Sequence, residues 1–149
     1  MAIAGIQGKP RTIFLVEDNK ADIRLIEEAF KSNPIPHQMV TVRNGADAMA
    51  YLRREGEYAN APRPDLILLD LNLPRKDGRE VLAEIKADPH LRRIPVVVLT
   101  TSRNEDDVFQ SYDSNVNCYI SKSRNLAELF KIVQGIEEFW LETVILPSE

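Results

Sequence analysis

Short apolar runs alternate along this chain with longer amphipathic stretches, and that alternation restricts the fold most. The runs are Thr12–Val16, Leu66–Leu69 and Val96–Leu99, with weaker ones at Gln38–Val42 and Val116–Ile120. A run this short can also be a segment of buried helix; length, β-branched content and flanking Pro or Gly decide for strand. Continuous runs such as "LILLD" and "VVVLT" suit strands covered on both faces, as in a parallel sheet under helices. Between them Ile23, Ile26 and Phe30 recur at helical spacing, then Ala48, Leu52 and Glu55, then Val81, Leu82 and Ile85, then Leu126, Leu129, Phe130 and Val133. Turn chemistry marks the borders. Pro34 and Pro36 close the first helix, Asn44-Gly45 opens the second, and Gly56 to Pro64 is a loop. Asp88-Pro89 ends the third helix and Pro95 starts the fourth strand. Five strands alternating with five helices predict a doubly wound α/β domain, a parallel sheet with helices on both faces. Residues 1–10 are expected to be a loose tail, 11–142 the domain and 143–149 a C-terminal tail, with the last helix near Arg124 to Leu141.

Composition removes several functional classes. A chain of 149 residues makes one domain with one full core. Its net charge of -4 argues against a nucleic-acid binder held by phosphate contacts. Cys118 is the one cysteine, so an internal disulfide and a Cys-based zinc site are excluded. That fits a reducing cytoplasm. The N-terminus has no basic n-region followed by an apolar run, and no stretch approaches the roughly 20 apolar residues of a membrane span. A soluble cytoplasmic protein, with no membrane partner, is expected.

In open α/β sheets, ligands bind outside the carboxyl ends of the strands. The ends here are Glu17-Asp18, Asp70, Thr100-Thr101-Ser102 and Ser121-Lys122. The fold would gather three carboxylates, a hydroxyl and an ammonium on one edge. Clustered acids create a negative field that a hard cation such as Mg²⁺ relieves. A carboxylate can act as nucleophile. The metal and Lys122 would neutralise phosphoryl oxygens, and Thr100 would hydrogen-bond one of them, the parts of a phosphoryl-transfer site. Each residue alone has a plainer role. Asp18 or Asn19 can cap the following helix, Asp70 can be a turn acid, Thr100 a satisfied hydroxyl and Lys122 a surface lysine. Their common position at the ends of four apolar runs is what favours a site.

The chain resembles the receiver domains of bacterial two-component response regulators over roughly residues 11–141, through "FLVEDN", "DLILLDLNLPRKDGREVLAEIK", "IPVVVLTTS" and "CYISKS" in this order. The resemblance implies strand order 2-1-3-4-5, Asp70 as phosphoacceptor, and Mg²⁺ held by Asp18 directly, by Glu17 largely through water, by Asp70 and by the Asn72 carbonyl. It makes Thr100 the switch hydroxyl, Tyr119 the switch aromatic and Lys122 the phosphate-pairing cation, with Pro74 and Gly78 in the turn after Asp70. Ser123 stands where many receivers have Pro, so a cis bond there is not assumed. Thr101 is larger than the residue usual after the switch hydroxyl and restricts the space Tyr119 would enter. The phosphodonor would be a sensor histidine kinase. "GEYANAPRPDLILLDLNLP", "NVNCYISKSRNL" and "IEEFWLETVILP" look like the small regulators encoded beside cyanobacterial phytochromes, which implies a phytochrome as that kinase.

The few residues after the last helix are too short for a DNA-binding module, so no output domain is expected and output is expected through an unknown downstream protein or self-association. Large apolar residues from Leu126 to Leu141, with Val144, Ile145 and Leu146, exceed what one helix buries. They point to a homodimer through the face of the fourth helix, fifth strand and fifth helix with the C-terminal tail; the plainer alternative folds the tail back on its own domain. An aspartate-nucleophile phosphatase commonly needs a second Asp two residues after the first, where Asn72 stands. An adaptor that never uses its phosphosite is the remaining alternative. His37 and His90 read as surface or loop histidines and Cys118 as a structural thiol.

Overall fold

The computed structural model describes residues 11–31, 37–100 and 118–121, with 131, 134 and 135; of 100 and 118–121 it describes the backbone alone. Strands β1 (Arg11–Val16), β2 (His37–Val42), β3 (Leu66–Leu69), β4 (Val96–Thr100) and β5 (Cys118–Ser121) form a five-stranded sheet in the order β2-β1-β3-β4-β5. Every pairing is parallel. Helices α1 (Lys20–Lys31), α2 (Gly45–Leu52) and α3 (Gly78–Ala87) link them, with a 3-10 turn at Gly56–Tyr58 in the loop before β3. The expected fourth and fifth helices and both tails lie outside the described residues, although 131, 134 and 135 are helical.

The continuous apolar runs are explained by two cores on opposite faces. Successive strand side chains point to opposite sides. Phe14, Val16, Ile67, Leu69, Val96 and Val98 pack with α2 and α3 through Ala48, Met49, Val81, Leu82 and Ile85. Their sequence neighbours Ile13, Leu15, Leu66, Leu68, Val97 and Leu99 pack with Ile26, Ala29 and Phe30 of α1. Phe14 also stacks on Tyr51, ring centroids 4.4 Å apart. β2 lies at the sheet edge and buries only Val42 fully.

Local chemistry sets the helix ends. Asn19 caps α1 by accepting from the Asp22 N–H at 3.0 Å. Asn44 caps α2 through Asp47, and Asp77 caps α3 through Arg79. The spacing that placed Glu55 on the second helix is corrected by the structure. Helix α2 stops at Leu52, because Arg54 turns left-handed (φ 55). The Arg54 N–H then reaches the Tyr51 carbonyl at 3.0 Å and the Glu55 N–H the Ala50 carbonyl at 2.9 Å. These two bonds are the Schellman closure of a helix, usually built on glycine.

Candidate functional site

Strand register brings Glu17 and Asp70 together at the carboxyl edge. Val16 pairs with Leu69, so each acid stands one residue past that pair. The Asp70 N–H continues the ladder to the Val16 carbonyl at 3.0 Å, and the Glu17 N–H reaches the Val42 carbonyl at 3.1 Å. Both side chains are buried, Glu17 at 1% and Asp70 at 7% exposure. Burying a carboxylate is costly without donors. The Asn72 N–H donates to Asp70 Oδ1 at 3.0 Å. The Asn19 N–H donates to Glu17 Oε2 at 3.1 Å, so the residue that caps α1 also holds the buried acid before it. Asp18, by contrast, is exposed.

The loop after Asp70 is fixed by close backbone packing. The Gly78 N–H donates to the Leu71 carbonyl at 2.9 Å, and a Cβ at Gly78 would lie 2.3 Å from the Asp70 carbonyl oxygen. At Gly45, the start of α2, a Cβ would lie 1.9 Å from the Lys76 carbonyl oxygen. Two helix starts therefore clamp the loop, and each clamp has room for hydrogen alone. Arg75, at φ 68, turns the chain between them. Lys76 is further tied to Glu84 of α3, which also pairs with Arg53 at 3.1 Å. The hydrogen bond from Lys76 holds the Glu84 carboxyl below its usual range, and the charges of Lys76 and Arg53 add to this against the opposing effect of burial.

Of the expected site residues, Glu17, Asp18, Asp70 and Asn72 share the edge. The Thr100 backbone pairs with Ser121 and that of Tyr119 with Val98. The side chains of Thr100 and Tyr119, and Lys122 and Ser123 entirely, lie outside the described residues, as does the apolar C-terminal stretch behind the dimer expectation. Among the described residues, no group of three or more His, Cys, Asp or Glu is set to hold a metal ion as it stands. The donors at this edge are nonetheless all hard oxygens, carboxylate and carbonyl, which matches Mg²⁺ or Mn²⁺ and not a thiolate- or imidazole-seeking metal. Two site features escaped the sequence reading. Arg43 donates to the Asp18 carbonyl at 3.2 Å, and Gly45 makes its close approach to Lys76. "NG" at 44–45 signals a turn, and nothing in it names the distant carbonyl it meets.

A parallel sheet in this order, with buried acids closing the neighbouring strands β1 and β3, is the arrangement of a receiver-type α/β domain. The chain belongs to the response regulator receiver domains, whose family model matches residues 13–134. It is 66% identical over 139 residues to the response regulator Rcp1 of Synechocystis, covering 93% of this chain and 95% of that protein. It is 44% identical to the probable methanogenesis regulatory protein FilR2 of Methanothrix harundinacea, over 89% of this chain and 84% of that one. Among solved structures, the phosphorylated cyanobacterial phytochrome response regulator RcpA is 74% identical with a TM-score of 0.91, over 94% of this chain and all (100%) of that one. The Mn²⁺-bound form of Rcp1 superimposes with a TM-score of 0.90 at 66% identity, over 93% of this chain and 100% of that one. Among the described residues, no helix is long and apolar enough to cross a membrane.

Proposed function

We propose that this receiver, spanning residues 11–142, accepts a phosphoryl group on Asp70 from a phosphohistidine of a sensor kinase. The observation that carries the reading is the buried Asp70 carboxylate, level with buried Glu17 and steadied by the Asn72 N–H. An Asp70 oxygen attacks phosphorus, the P–N bond breaks, and the departing imidazole takes up a proton. Glu17, Asp18, Asp70 and the Asn72 carbonyl would hold Mg²⁺, which when bound neutralises charge on the phosphoryl oxygens. Lys122 pairs with one phosphoryl oxygen and the Thr100 hydroxyl with another. Tyr119 then follows Thr100, and the face of the fourth helix, β5 and the fifth helix changes its affinity for partners. Such a shift needs contacts that differ between the two states, and a coupling of about 1–3 kcal/mol is enough.

The likeness to a phytochrome response regulator supports a phytochrome of cyanobacterial type as the kinase. The protein acts in the cytoplasm, passes its signal by protein contact, and pairs as a homodimer through that same face with the C-terminal tail. It promotes its own phosphorylation and dephosphorylation without turning over a separate substrate.

Intact-mass measurement after incubation with acetyl phosphate tests the core of this reading. One phosphoryl group should be gained with Mg²⁺, far less without it, and none by Asp70→Asn. No labelling under any condition would leave the phosphorylation-independent adaptor instead.

A further inference from the structure

The opposite, amino-terminal edge of the sheet carries a cavity of about 530 Å³ between the end of α2, the loop before β3 and the loop before β4. Among the described residues, Arg53, Arg54, Arg63, Arg92, Arg93 and His90 line it and no Asp or Glu does, although Arg53 is already paired with Glu84 of α3 at 3.1 Å. In a chain of net charge -4, this is a local excess of positive charge that composition does not produce. Leu52 and Leu91, both buried, give it an apolar floor.

Several of these arginines are held in place. Arg63 Nη1 donates to the His90 carbonyl at 2.9 Å, joining the two loops. A guanidinium has five N–H donors, so one such bond orients Arg63 without exhausting it. Arg54 Nε donates to the Ala61 carbonyl at 3.1 Å. Arg54 also occupies the left-handed position that closes α2, where glycine is favoured. Its side chain lines the cavity while Nε is held by the Ala61 carbonyl.

We propose that this cavity binds a small polyanion, a phosphate ester of nucleotide size. Its volume falls within the roughly 300–1,000 Å³ of small-molecule sites. Planar guanidiniums meet phosphate oxygens in pairs, and the floor of Leu52 and Leu91 accommodates an organic portion. A concave site of this size favours a small molecule over a flat protein surface. The proposal stands independently of the phosphoacceptor reading, since the cavity and the carboxylates occupy opposite ends of the strands.

Calorimetric titration of the full chain tests it, in low-salt buffer free of divalent cations, with ATP, tripolyphosphate and hexaglutamate as probes. ATP should bind, more tightly than tripolyphosphate, and weaken as salt is raised. The double variant Arg92→Gln/Arg93→Gln alters two exposed side chains and should keep its melting temperature, yet lose affinity by about tenfold or more. Asp70→Asn should bind as the wild type does. Absence of ATP binding at about 1 mM, equal binding by the double variant, or tighter binding of tripolyphosphate or hexaglutamate than of ATP would each overturn the proposal.

Discussion

Replacing Gly78 by alanine places one methyl group where the backbone of the loop after Asp70 already stands. The new Cβ would lie 2.3 Å from the Asp70 carbonyl oxygen and 2.5 Å from Leu71 Cα, against ordinary contacts of 3.4–4 Å. Relief therefore takes a displacement of about 1 Å, and the atoms that must yield are backbone, not the end of a side chain. Overpacking of this kind costs about 1–3 kcal/mol, or more where nothing gives. Alanine's better helix propensity returns at most about 1 kcal/mol, and less at the first residue of α3. A net loss of about 2 kcal/mol should lower the melting temperature by about 4–8 °C for a chain of this size. Two further glycines calibrate the measurement. Gly135 is helical with nothing among the described residues within 4 Å, so Gly135→Ala should be neutral or stabilising by up to about 1 kcal/mol. Gly56 is equally open but sits at φ 56, so Gly56→Ala should cost about 1 kcal/mol through strain alone. Thermal denaturation followed by circular dichroism separates the three. Displacement of Asp70 should also slow labelling by acetyl phosphate about 10–100-fold in Gly78→Ala. A Gly78→Ala protein that melts at or above the wild-type temperature would refute the reasoning, because no clamp would then exist.

Glu84→Gln removes a carboxylate that ties Lys76 to Arg53, and urea denaturation should show a loss of about 1 kcal/mol at pH 7. The folded state holds this carboxyl below its unfolded value, so its contribution is present above about pH 4.3 and drains as pH falls through the folded value. A wild-type-to-variant difference that is unchanged at pH 3 would contradict the assignment. Tyr51→Phe loses the hydroxyl that donates to the Pro62 carbonyl at 2.9 Å, and should cost about 1 kcal/mol at pH 7 while preserving the stack on Phe14. Burial raises the Tyr51 phenol above its usual value, partly offset by the charge of Arg54. Wild-type stability should therefore fall toward that of Tyr51→Phe as pH rises past about 10 and through the folded value, which denaturation at alkaline pH will reveal.

The sheet was legible because its cause is local: "LILL" and "VVVL" bury both faces, as strands of a parallel sheet under helices do. Glu17 and Asp70 were legible as neighbours because parallel register follows from strand ends. The end of α2 was not. Apolar spacing carried the helix to Glu55, while a left-handed Arg54, which no propensity favours, stopped it at Leu52. The separate fates of Glu17 and Asp18 at the strand mouth also depend on tertiary packing. One carboxylate is folded under the Asn19 N–H and the other stays exposed. The clamps at Gly45 and Gly78 join residues some 31 and 8 positions apart (45 to 76, 78 to 70), and a single sequence gives no sign of which carbonyl a glycine will meet. The arginine cavity likewise assembles side chains from three separate segments.

The Gly45–Lys76 contact has a consequence for anyone recombining receivers. The segment from Asp70 to Gly78 looks like a self-contained cassette, suited to exchange between proteins whose signalling partners differ. It is not one, because its outer wall is the start of α2, contributed more than twenty residues earlier in the chain. A chimera that imports the cassette with a differently shaped Pro74–Lys76 turn will strike Gly45 or leave a gap beside it. The unit that transplants intact is discontinuous: Asn44-Gly45 must travel with the loop they enclose.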